Sequence, residues 1–189
     1  MVDKQKQQSG FALLVSLIVV AAVLSIGLAI LDLSIKQVRL ASTTKDSEIA
    51  FHAANAGMEC ARFWRRQASV SMEAGDPTEF GCFGDTVSVN AGSVNYSSAD
   101  GTAYVYTHRM DWATNDRCSV ITTLAVFAGF DGPLIVSDMR DLIPGFPDGD
   151  TYECSPASNC TVVSVQGYNK PCAQITNFGT IQREVLLEF

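Results

Sequence analysis

The chain has no proline before Pro77, no cysteine before Cys60 and no charged residue between Phe11 and Leu31. Without proline, nothing in the early backbone forces a helix to stop. Without early cysteines, any disulfide framework belongs to the later part of the chain. Only two histidines occur, His52 and His108, neither at ligand spacing from a cysteine pair, and there is no Cys-x-x-Cys. That leaves a structural zinc site without a ligand set. A glycine-rich phosphate loop, an HExxH and a Gly-x-Ser-x-Gly elbow are all missing, so the common signatures of nucleotide hydrolases, zinc peptidases and serine hydrolases are excluded. No nucleophile and base can be paired, and the sequence reads as a non-enzymatic protein that needs no cofactor.

What is present begins with a short leader bearing Lys4 and Lys6, which breaks at Gly10-Phe11 into 21 uncharged, mostly apolar residues. As a helix at about 1.5 Å per residue, Phe11 to Leu31 measures roughly 32 Å, the thickness of a bilayer core. A cleaved secretory signal, with Ser25-Ile26-Gly27 as its cutting site, fits poorly because such signals carry about 7 to 15 apolar residues. Flanking charge does not orient the span, since Lys4 and Lys6 lie on one side and Lys36 and Arg39 on the other.

Past Leu31 the chain turns polar with no break. From Ile49 the apolar and small residues fall at Ile49, Ala53, Ala56, Cys60 and Phe63 or Trp64, a helical stripe. Opposite lie Glu48, His52, Asn55, Glu59 and Arg62, a face for water or neighbouring subunits. One helix from Phe11 to about Ala68 would be roughly 87 Å long. Gly27 and Ser42-Thr43-Thr44-Lys45-Asp46 hold weaker helix formers and are candidate bends. The alternative is an anchor, a break near Ser42 and a separate amphipathic helix.

The Gly10-Phe11 junction ahead of the apolar run resembles the processing signal of type IV pilins and pseudopilins. The stretch Glu48-Ile49-Ala50-Phe51-His52-Ala53-Ala54-Asn55-Ala56-Gly57-Met58-Glu59-Cys60 is similar to the second half of the long helix in their minor and tip members. The resemblance implies cleavage by a prepilin peptidase after Gly10 and N-methylation of Phe11. It also implies a single-pass protein of the inner membrane with a cytoplasmic N-terminus, which later joins an extracellular or periplasmic filament. Its partners would be other pilin subunits, met through the N-terminal helix, and the pilus assembly machinery. One departure matters: the fifth residue from Phe11 is Val15, where most pilins carry a glutamate that neutralises the N-terminal amine in the apolar filament core. An unpaired buried charge is costly, and Ser16 offers a hydroxyl but no charge. This lack is shared by minor subunits assigned to filament tips.

After Arg66 helical spacing is lost and turn residues appear. β-type runs are expected at 86–90, 93–96, 103–109, 119–127, 134–137, 161–166 and 184–189, divided by Asn90-Ala91-Gly92, Asp100-Gly101, Asp131-Gly132 and Asp148-Gly149. The expected fold is therefore α+β: a leader over 1–10, a long helix over 11–68 and an antiparallel β-sheet head over 69–189. Charge divides along the same line. Residues 11–66 hold six Lys or Arg against four Asp or Glu, residues 67–189 five against fifteen, so the head repels nucleic-acid phosphates and direct DNA binding by it is disfavoured. Arg62, Arg65 and Arg66 with Trp64 form a basic aromatic knot, read mainly as pairing with the acidic head or with neighbouring subunits and only secondarily as an anion or DNA site.

The six cysteines, Cys60, Cys82, Cys118, Cys154, Cys160 and Cys172, suit three disulfides on the exported side, with fifteen connectivities open in principle. Spacing favours Cys154 with Cys160, Cys60 with Cys82, and Cys118 with Cys172. Asp131, Asp138, Asp141, Asp148, Asp150 and Glu153 crowd one region. Asp148 and Asp150 are the candidate oxygen ligands for calcium, although EF-hand spacing is not met. Asn95-Tyr96-Ser97 and Asn159-Cys160-Thr161 fit the glycosylation pattern.

Overall fold

A computed structural model describes residues 6–82, 84–97, 100–112, 116–147 and 149–189. Its architecture is α+β: a long N-terminal helix followed by antiparallel sheets. The chain divides into two compact units between Lys45 and Asp46.

Helix α1 spans Lys6–Gln67, 62 residues without interruption. It begins ahead of Phe11 and runs through both Gly27 and 42–46, so neither candidate bend interrupts it. Five hydroxyls of α1 turn back onto its own carbonyls. Ser16 donates to the Leu13 carbonyl, Ser25 to Ala22, Ser34 to Ile30, Thr43 to Arg39 and Thr44 to Leu40. These five side chains are satisfied locally and do not interrupt the helix. In the first unit, from Phe11 to Leu40, large apolar side chains stand exposed on every side of the helix. Such an all-round apolar surface has the length and composition of a membrane span. This is the one helix among the described residues long and apolar enough to cross a membrane, with a mean hydropathy of 2.9 in its best window.

The second unit, from Asp46 on, packs the remaining turns of α1 on a five-stranded antiparallel sheet. The strands are β1 (Thr78–Cys82), β2 (Asp85–Val89), β3 (Gly92–Ser93), β4 (Tyr96–Ser97), β5 (Thr102–Asp111), β6 (Cys118–Phe127), β7 (Leu134–Ser137), β8 (Thr151–Cys154), β9 (Asn159–Tyr168) and β10 (Gln182–Glu188). The main sheet has the order β10-β9-β6-β5-β3; β4-β7-β8 and β1-β2 form two small sheets. Two short helices, α2 (Ser69–Ala74) and α3 (Met139–Leu142), complete the unit. The expected run 93–96 is in fact split. Gly92 and Ser93 pair with β5, while Tyr96 and Ser97 pair with β7. Between them Val94 is buried and Asn95 accepts from the Ser137 amide, so the chain changes sheets there.

Three apolar clusters hold this unit. Ala54, Met58 and Ala61 of α1 meet Ile121, Val163 and Val165 on one face of the sheet. Leu124, Val126 and Val162 on the other face meet Leu134, Val136, Met139 and Ile143. Met72 of α2, Phe80 and Val89 close over Tyr106. Tyr106 is wholly buried and donates to the Asp76 carbonyl at 3.0 Å, and burial pushes its hydroxyl up to about 12.

Candidate assembly helix and braced head

Around the expected processing point, Gly10 lies within α1 and Phe11 is largely exposed. Residues 1–5 of the leader lie outside the described residues. Val15 is exposed on the apolar surface, and Ser16 beside it has its hydroxyl committed to the Leu13 carbonyl at 2.8 Å. From Phe11 to Leu31 the surface therefore presents apolar contact and no charge. Lys36 and Asp32 form the first ion pair beyond it, 2.7 Å apart.

Within the second unit the stripe on α1 is rotated by about one residue from the expected one. Ala50, Ala53, Ala54, Gly57, Met58, Cys60, Ala61 and Arg65 are buried, whereas Ile49 and Ala56 are half-buried and Phe63 is 53 % exposed. Close approach of backbones is the reason. A β-carbon on Gly57 would stand 2.7 Å from Val165 Cγ1 and 3.1 Å from Ser119 Cβ, and one on Gly167 would collide with the Ala50 carbonyl and the Ala54 amide. Ser119 donates to the Ala53 carbonyl at 2.8 Å. Glycine in β9 and small residues in α1 thus let helix and sheet touch through main chain. The opposite face carries Glu48, His52 and Glu59 in solvent as expected, joined by Phe51 and Phe63.

The basic aromatic knot comes apart into separate roles. Arg65 is buried, pairs with Glu73 of α2 at 2.7 Å and donates to Thr161 Oγ1 at 2.9 Å. Trp64 donates to the Gly81 carbonyl, Arg62 pairs with Glu59 along the helix, and Arg66 stands exposed. Sequence spacing does not single out Arg65 from its neighbours. Its signal is positional, since it continues the buried row Ala54-Gly57-Ala61 at helical intervals.

The cysteines come together as Cys60–Cys82, Cys118–Cys172 and Cys154–Cys160. The first joins α1 to β1, the second ties the start of β6 to the turn before β10, and the third closes the loop between β8 and β9. Asp148 lies outside the described residues, and Asp150 is exposed. Among the described residues no three or more His, Cys, Asp or Glu gather as a metal site. Asn95 is exposed but donates its amide to Asp138, and Asn159 donates to Glu73. His52 sits in solvent on α1. His108 is buried on β5 against Phe80, ring centroids 4.2 Å apart, and both its ring nitrogens lack a hydrogen-bond partner. Burial pushes it down to about 4, so it is neutral and held as a flat, mostly apolar ring.

No protein-family model, characterised protein or solved structure matches the chain.

Proposed function

We propose that this chain is a minor or tip subunit of a type IV pilus or related pseudopilus, cut by prepilin peptidase after Gly10 and methylated on Phe11. The observation that carries the reading is the uninterrupted α1, whose uncharged, lipid-compatible half begins at Phe11 and whose later turns form part of the head's core. In this reading the apolar half rests in the inner membrane with the N-terminus on the cytoplasmic side. The assembly machinery then extracts it, exchanging lipid contacts for contacts with the helices of other pilin subunits. Val15 supplies apolar contact and no carboxylate, which suits a subunit that starts or caps a filament better than one repeated along it. The three disulfides suit a head that works outside the cytoplasm.

Intact mass of the exported protein, with and without prepilin peptidase, tests the reading. A mass beginning at Phe11 with one added methyl group supports it. A mass beginning at Met1 in both backgrounds, or after Gly27, overturns the processing step. Sheared surface filaments lacking the chain would favour a membrane-anchored adhesin or receptor that never polymerises.

A further inference from the structure

β10 is an edge strand. It pairs with β9 over seven residues, from Gln182 opposite Tyr168 to Glu188 opposite Val162, and among the described residues no strand lies on its other side. The phase of its hydrogen bonds is fixed at both ends. Phe189 and Thr161 exchange both backbone bonds, at 2.7 and 3.0 Å, and the Asn169 amide donates to the Ile181 carbonyl. In an antiparallel pair such bonded positions alternate with positions whose amide and carbonyl point away. The odd residues 183, 185 and 187 therefore bond β9, and Gln182, Glu184, Leu186 and Glu188 turn their backbone groups outward.

Edges of this length are blunted by charged side chains, proline, a bulge or a covering segment, and of these β10 carries charges: Arg183, Glu184 and Glu188. β10 has no proline, its register with β9 is continuous, and Gln182, Glu184 and Glu188 are exposed. The side chains lean two ways. Val185 and Leu187 pack toward α1, and Arg183 donates to Ser47 on that same side. On the other face Glu184, which accepts from Ser164, and Glu188 stand four residues apart with Leu186 between them.

We propose that the outer edge of β10 binds an extended, basic segment of another polypeptide as a sixth strand. Main-chain bonds to the four outward residues would supply the docking, and cationic side chains four residues apart on the incoming strand would answer Glu184 and Glu188. A second copy of β10 is a poor occupant. Pairing all four outward residues antiparallel sets Gln182 against Glu188 and Glu184 against Leu186, which gathers four carboxylates on one face.

The full chain in detergent, titrated with the acetylated and amidated peptide Lys-Val-Thr-Val-Lys-Val-Thr, tests this. Two further peptides carry N-methyl groups on the odd or on the even residues. Only one edge of the peptide can face β10, so one methylated series should lose about tenfold or more in affinity through several lost main-chain bonds, while the other binds as the parent does. Glu184→Gln with Glu188→Gln should weaken the parent peptide, and Glu188→Pro should weaken it without disturbing the β9 bonds. Equal binding of both methylated series would show mere charge attraction and overturn the proposal. So would no binding at millimolar peptide, or a dimer of the full chain that Glu188→Pro dissolves.

Discussion

Gly167 of β9 lies so close to Ala54 of α1 that no β-carbon fits between them. The sheet and the helix meet there through backbone, and the apolar contacts of Ala54, Met58, Val163 and Val165 form around that point. Gly167→Ala should therefore destabilise the protein by about 1–3 kcal/mol or more, as overpacking does where neither neighbour is a flexible side-chain end. Gly132→Ala is the control, since a β-carbon there meets nothing within 4 Å. Urea denaturation of the two variants in detergent should separate them clearly. Equal midpoints would mean that the helix shifts freely over the sheet.

This contact also marks how far the sequence can be read. The 3.6-residue recurrence of small residues after Ile49 announces a helix with a buried face, because alanine and glycine at those intervals have little else to do. It does not say which of two adjacent rows is buried. That depends on Gly167, more than a hundred residues away, whose neighbours Val163 and Val165 read only as part of a strand. β5, β6 and β9 were legible from β-branched and aromatic runs. β1 and β8 were not, since Thr78-Glu79-Phe80-Gly81-Cys82 and Thr151-Tyr152-Glu153-Cys154 are short, charged and interrupted. They are held in place by Cys60–Cys82 and Cys154–Cys160 and by pairing with neighbours. The helical character of the apolar half of α1 was legible, because 21 uncharged residues without a proline leave nothing to stop a helix.

Arg65 and Glu73 form an ion pair that is 5 % and 16 % exposed. Breaking such a pair leaves one charge with little water, so Arg65→Met should cost about 3–5 kcal/mol. Arg65→Met combined with Glu73→Gln should cost less than the two single changes added together. A double-mutant cycle by chemical denaturation measures the difference. Strict additivity would show that the two side chains act independently.

The three disulfides close loops of very different length, with sequence separations of 6, 22 and 54 for Cys154–Cys160, Cys60–Cys82 and Cys118–Cys172. If each acts by restricting the unfolded chain, paired alanine replacements should cost about 2, 3 and 4 kcal/mol in that order. Thermal and urea unfolding of the three double variants checks the ranking. A larger loss for Cys154–Cys160 than for Cys118–Cys172 would mean that folded-state packing, not loop closure, dominates.

His108 supplies a pH dependence whose sign can be worked out. Its ring is buried against Phe80 with both nitrogens unpartnered, and burial lowers it from about 6.5 to about 4. Between those values the unfolded chain takes up the proton and the folded one does not, so stability falls as pH drops from about 6.5 to about 4 and this contribution levels off below. The full change is roughly 3 kcal/mol. His108→Phe keeps a ring against Phe80 and removes the proton, so its stability should fall less steeply over the same interval. Carboxylates contribute alike to both proteins, and the difference between their urea midpoints at pH 7.5, 5.5 and 4.0 isolates the histidine. Parallel profiles would require that His108 finds a proton-accepting partner or water when acidified, which its present surroundings do not provide.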